Sequence, residues 1–321
     1  MERKWFSTSK PEHGSAEWLR ARWKNSRGEP QITASAAATV HNAHPWKSMA
    51  DLATELLAPE PPQPEPPNSA MERGNRLEPT LIKWAADRLG IKLYTPDKMF
   101  GYEEDGVRLL STLDACNLDD PEYRRVFEVK TTKKRWDGQL PDYWYWQGVH
   151  QAICANIWSI DWVVFDSDLE LHTFVQKVSS DEKQRHIEAC RKFLAAIDLG
   201  MMPEGAEYEY RHVTARFPEG VGTTIELPSE LWDSINSLET IKRSIKELET
   251  AEDQIKADVC ELMGEAEYAT LDGVLAATWK TSTRTTLDQK KLEQDHPALV
   301  AKYRKQSTIR TFRVVLKGEK Q

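Results

Sequence analysis

The strongest constraint on the fold lies in residues 124–136, RRVFEVKTTKKRW, where a carboxylate and an ammonium interrupt an apolar run. Val126-Phe127-Glu128-Val129-Lys130 reads as a strand. Strand alternation puts Glu128 and Lys130 on one face and Phe127 and Val129 on the other. A carboxylate in such surroundings needs a partner, because an unpaired charge is costly to bury. Asp114 sits in a second apolar run, STLDA. A neighbouring strand ending near Asp114 would bring two carboxylates together. They repel unless a cation lies between them, so the layout favours a Mg²⁺ or Mn²⁺ site. Lys130 would stand beside the ion, to orient water or stabilise charge on a phosphoryl group. Glu78 is a further candidate ligand. The alternative is a set of surface ion pairs with no chemistry.

The rest of the chain alternates helices and strands. SAEWLRARWKNSRG reads as a short amphipathic helix. ITASAAATV reads as a second helix, capped by Thr33 or Ser35, and PWKSMADLATELLA as a third. The proline-dense PEPPQPEPPN then forces a surface loop. Residues 69–89 are helical by their spacing of Leu77, Leu81, Trp84, Ala85 and Leu89, with Glu78 beside that face and a turn or kink expected at Pro79. Strands joined by turns follow to about residue 131, with Asp105-Gly106 as a hairpin turn. A helix over 142–156, a hairpin from IWSIDWVVFDSD to ELHTFVQKV, and a helix over 181–199 complete a body of residues 1–216. Residues 217–321 form an extension. Its long charged helix, Leu231–Met263, carries an apolar stripe suited to another helix or to an edge of the body. YATLDGVLAATWK and STIRTFRVV are strand-like there and flank a short charged helix.

Composition narrows the setting. Hydrophobic residues make up 40% and charged residues 29%, the profile of a soluble globular chain. No apolar stretch approaches the ~18 residues of a membrane span, and the N-terminus lacks a signal-peptide pattern, so a cytoplasmic location is expected. Cys116, Cys154, Cys190 and Cys260 form no CxxC pair and read as reduced, core-type cysteines. The net charge of −8 leaves nucleic acid open, because binding depends on where the positive charges sit.

Beyond these residue-level readings, STLDA followed by FEVKTT resembles the D…ExK core of the restriction-endonuclease-like nucleases. The wider pattern is similar to the YqaJ-type viral recombinases, which include the lambda-type phage exonucleases. EWLRARW with ITAS, the PW turn, MERGNRLEP, WQGVHQAI, and MGEAEYATLDGVLAATWK with IRTFRV carry the likeness in order along most of the chain. The resemblance implies an α/β fold: a restriction-endonuclease-like core, its central mixed β-sheet flanked by helices, with a C-terminal helical and β extension. It implies Glu78, Asp114, Glu128 and the Val129 backbone carbonyl as ligands for one or two Mg²⁺ or Mn²⁺ ions. Lys130 would be the catalytic lysine, with Gln147 and Gln151 facing the site from one helix. Arg22 and Ser35 match positions that hold a 5′ phosphate; as bare residues they read equally as a surface arginine and a helix cap. One departure stands out. The family's block of the form GxSDxxxxxG is here ITASAAATVHNAH: Ser35 is kept, but Ala36 replaces the acid after it.

Arg124, Arg125, Lys133, Lys134 and Arg135 bracket the proposed centre and suit phosphate neutralisation without sequence preference. The rings of DYWYWQ suit either packing or stacking on a frayed base. His41, His44 and His150 read as ordinary polar residues as readily as ligands. The family implies a Mg²⁺-dependent exonuclease that degrades linear duplex DNA 5′ to 3′. It would leave 3′ single strands for a phage annealing protein, and would act as a homo-oligomer, a ring-shaped trimer in some members. Two alternatives remain: a structure- or sequence-selective endonuclease, and a non-catalytic DNA-binding or structural protein.

Overall fold

In a computed structural model of the chain, residues 4–64, 66–117, 124–306 and 308–315 are described. They divide into two compact units, residues 1–217 and 218–321.

The first unit opens with β1 (Trp5–Ser9), α1 (Ala16–Trp23) and β2 (Ile32–Thr33). Two short 3₁₀ turns, Ala34–Ala36 and Thr39–His41, occupy the alanine-rich segment expected to be a helix. Helix propensity loses here to tertiary pairing: Ile32 and Thr33 line up in parallel with Leu109 and Leu110. Asn42, at φ 54°, then ends the second turn in the left-handed region. α2 (Met49–Leu57) starts at a capping box between Ser48 and Asp51. α3 (Ser69–Leu89) runs unbroken through Pro79, which lacks only the one N–H that would reach Asn75. β3 (Lys98–Glu104) and β4 (Val107–Ser111) form a hairpin. Asp105 and Gly106 both have positive φ at its turn, as the Asp-Gly signal requires.

β5 (Ala115–Asn117), β6 (Arg125–Thr131), α4 (Asp142–Cys154), β7 (Ser159–Phe165), β8 (Leu171–Lys177), α5 (Ser180–Asp198) and α6 (Tyr210–Arg216) complete the unit. The architecture is mixed α/β. Instead of one central sheet there are two four-stranded mixed sheets, ordered β1-β3-β4-β2 and β5-β6-β7-β8. β6 and β7 are parallel, and α4 is their crossover. α3 packs Leu81 and Ala85 against Phe127, Val129, Val163 and Leu171 on one face. The other face joins the main core with Val126, Trp162 and Val164. Gly148 lets α4 lie close on this face: a Cβ there would stand 2.1 Å from Gln176 Oε1. Cys116, Cys154 and Cys190 are buried and reduced, as expected, while Cys260 is half-buried.

The second unit holds α7 (Trp232–Met263), a hairpin of β9 (Tyr268–Leu271) and β10 (Val274–Thr278), and the short helices α8 (Gln289–Asp295) and α9 (Pro297–Tyr303). Residues 308–315 are not a strand; Ser307, which begins that expected run, lies outside the described residues. The only sheet described in this unit is the two-stranded hairpin, so the run has no strand to pair with. No described helix is long and apolar enough to cross a membrane.

Candidate active site

Strand length creates the site. β5 stops at Ala115, opposite Phe127, so β6 continues from Glu128 to Thr131 without a strand on that side. The exposed edge is capped by a side chain: Asp114 Oδ2 accepts from the Val129 N–H at 2.8 Å. N–H and C=O of one strand residue point to the same side, so the Val129 carbonyl faces the same edge. The residue alternation read from the sequence holds. Phe127 and Val129 pack under α3, while Glu128 turns to the α4 face.

Glu128 is only 3% exposed. Lys130 Nζ donates to its Oε1 at 2.6 Å. Gln147 Nε2 donates to the same oxygen and Gln151 Nε2 to Oε2. The two glutamines sit one turn apart on α4 and converge on one carboxylate. Gln151 Oε1 is buried and has no partner.

The electrostatics are strained. Burial pushes the Asp114 carboxyl well up, and the charges of Glu128 and Glu78 push it further. Glu78, on α3, is raised by burial and by Glu128, while Lys10 and Lys130 pull it down. Burial works to lower the Lys130 pKa, but Glu128 and Asp114 outweigh it and hold the ammonium above its ordinary value. Lys130 therefore stays a cation and cannot serve as a general base near neutral pH.

Oxygen donors and crowded carboxylates suit a hard cation. Asp114, Glu128 and the Val129 carbonyl could hold one, with Glu78 at the rim. Among the described residues no three Asp, Glu, His or Cys side chains are grouped to hold an ion.

The remaining candidates separate. Arg22 donates to Ser35 Oγ at 2.7 Å and to Thr33 Oγ1 at 3.4 Å, and its guanidinium lies 4.2 Å from the Trp18 ring. Burial brings its pKa down to about 10, which leaves it charged at neutral pH. Arg125 does not share the site's face. It points with Phe127, stacks over that ring at 4.9 Å, and is clamped through two nitrogens to Asp161 of β7. Arg124 reaches Ala155 O at the far end of α4, ~20 Å along the strand from Lys130. Lys133 and Lys134 are exposed just past β6, and Arg135 forms an exposed pair with Asp168. Sequence reading missed Lys10, whose charge acts on both Glu78 and His13. It lies 68 residues before Glu78, and no local pattern links them.

The aromatic run is divided. Trp144 is buried in a stack with Trp136 and Trp162, centroids 5.6 and 5.9 Å away. Trp146 stacks on His41 at 3.5 Å. Tyr143 alone turns toward the site. His41 and His150, read as ordinary polar residues as readily as ligands, join one hydrogen-bonded chain: His41 Nε2 to His186 Nδ1 at 2.9 Å and His186 Nε2 to His150 Nδ1 at 3.0 Å.

Fold and site together define a mixed α/β protein with an acid–lysine–glutamine centre on an open strand edge. Residues 17–157 match the YqaJ-like viral recombinase domain. The match spans every candidate from Arg22 to Gln151. No curated protein matches the chain. Among solved structures, an alkaline exonuclease from Laribacter hongkongensis is 18% identical at a TM-score of 0.45, over 58% of this chain and 93% of that one. A phage-related exonuclease from Haemophilus somnus 129PT is 13% identical at a TM-score of 0.37, over 53% and 95%.

Proposed function

We propose that the protein is a Mg²⁺-dependent deoxyribonuclease that degrades linear duplex DNA from its ends, 5′ to 3′. One observation carries the reading: Lys130, Gln147 and Gln151 converge on Glu128 at an open strand edge capped by Asp114. The match to a YqaJ-like viral recombinase domain supports the same class.

Asp114, Glu128, the Val129 carbonyl and Glu78 would hold one or two Mg²⁺ ions, with Mn²⁺ as a substitute; bound there, the ion would polarise the phosphoryl group and activate water. Lys130, held protonated, stabilises negative charge building on the phosphoryl oxygens. Gln147 and Gln151 fix the Glu128 carboxylate and so fix the geometry of attack. Arg22 with Ser35 offers a cation and a hydroxyl to a terminal 5′ phosphate, and Lys133 and Lys134 neutralise the strand being cut. Arg125 is assigned to the fold, because Asp161 occupies its guanidinium. The product would be a 3′ single-stranded tail for a phage annealing protein, made in the cytoplasm of a bacterial host. A homo-oligomer, by family likeness a ring-shaped trimer, would keep the enzyme on its track.

The test is incubation of the protein with Mg²⁺ and either linear or closed circular duplex, beside Lys130→Ala. Loss of linear DNA alone, at least 10³-fold slower in the variant, is the expected result. Circular cutting would replace the exonuclease by an endonuclease with the same centre. End-labelling either strand terminus reads the polarity.

A further inference from the structure

Beside Lys130 stands an aromatic wall that the chemistry above does not use. Tyr143 lies in the first turn of α4, one turn before Gln147. Trp46 meets it edge-on, with centroids 5.4 Å apart at 73°. His44 closes the group, 5.9 Å from Trp46 and 6.3 Å from Tyr143. Tyr143 and Lys130 are close enough for each to shift the ionisation of the other. The wall therefore adjoins the ammonium that the nuclease reading sets against the scissile phosphate.

Trp46 is 77% exposed, yet its backbone is held. His44 Nδ1 accepts from the N–H groups of Trp46 and Lys47 at 3.3 and 3.0 Å. Lys47 pairs with Glu55, and Ser48 closes the capping box of α2 immediately afterwards. A tryptophan left in water on a fixed turn gains free energy when apolar surface covers it, and a flat aromatic partner adds a further stacking contribution. Tyr143 meets Trp46 in a T-shaped contact, and most of the indole surface remains open to solvent. A nucleobase has the required shape, and it would be freed at a strand end being degraded.

We propose that Trp46, backed by Tyr143, is a stacking platform for the unpaired nucleobase next to the scissile phosphate. This rests on the nuclease reading and adds a positioning group to it. Stacking of a base on an aromatic side chain contributes ~1–3 kcal/mol and tolerates any sequence. It would hold the frayed nucleotide so that its phosphate stays beside Lys130.

The test compares wild type, Trp46→Ala and Trp46→Phe on linear duplexes with a normal or an abasic nucleotide at the second position from the 5′ end. Trp46→Ala should lower kcat/KM about tenfold on normal DNA, and Trp46→Phe should restore most of it. The abasic site should slow the wild type but add nothing to Trp46→Ala. Separately, adding oligothymidylate to metal-free protein should quench tryptophan fluorescence in the wild type and less in Trp46→Ala. A folded Trp46→Ala with wild-type rates overturns the platform and leaves the nuclease reading intact. So does a variant slowed equally on both substrates. A wild type inactive on every duplex removes both.

Discussion

Two adjacent stripes of α4 carry buried polar groups, and they are built on opposite principles. Gln147 and Gln151 face Glu128, Lys130 and the Asp114 edge. Trp146 and His150 face the histidine chain. The histidine chain is complete. The Leu110 carbonyl can only accept, so His150 Nε2 donates to it at 3.1 Å. His150 Nδ1 must then accept from His186, and His186 Nδ1 from His41. Each tautomer is fixed by the next, and burial holds all three rings neutral, His41 at a pKa of about 4 and His150 at about 3. The acid site is incomplete by contrast. Beyond burial, the charge of Glu128 raises the pKa values of Asp114 and Glu78, Glu78 raises that of Asp114 further, and Gln151 Oε1 has no partner. A satisfied neutral network serves stability, whereas a crowded charged one lowers stability in favour of a ligand.

The sharpest way to break this comparison is to neutralise one group on each side. Asp114→Asn should cut nuclease activity at least 10³-fold and leave the melting temperature of metal-free protein unchanged or higher. His186→Leu should do the reverse. It strands His150 Nδ1 and His41 Nε2, costing about 3 kcal/mol in urea unfolding, while activity per folded molecule persists. Equal effects of both variants on activity would dissolve the distinction.

The pH profile sharpens it further. The histidines have depressed pKa values in the folded state, so their contribution is fully present above the unfolded value near ~6.5. It is lost as pH falls toward the folded values. His150 alone accounts for about 2 kcal/mol of loss by pH 5. Unfolding free energy measured from pH 7 to 5 checks this, and a flat profile would contradict a neutral buried chain.

The smallest effect concerns the basic segment after Glu128. Lys133→Ala with Lys134→Ala should weaken DNA binding and reduce the salt slope by about 2. Arg125→Ala should leave that slope alone and lower stability, since its partner is Asp161. Binding isotherms at several salt concentrations separate the two.

Much of the site follows from local periodicity. Alternation along β6 puts Glu128 and Lys130 together, and helical spacing does the same for Gln147 and Gln151. Asp105-Gly106 specifies its turn without help from the rest of the chain. The alanine-rich segment after Gln31 shows the limit. Its composition favours a helix, but pairing of Ile32 with Leu109 prevails, 77 residues away in sequence. Arg125 shows another limit. Charge alone grouped it with Lys133 and Lys134, although the alternation that placed Lys130 also turns Arg125 to the opposite face.

What the sequence by itself determined was therefore which face of β6 or α4 each site group takes and the type of the strongly periodic elements, because backbone geometry repeats every two or 3.6 residues whatever lies elsewhere. Only the tertiary structure decided which faces meet. It brought Asp114 to the Val129 N–H, stopped β5 short of Glu128, joined His41 to His186 across 145 residues, and set Trp46 against Tyr143. Such contacts come from packing distant segments into one core, where hydrophobic burial and hydrogen-bond satisfaction are settled for the whole chain at once.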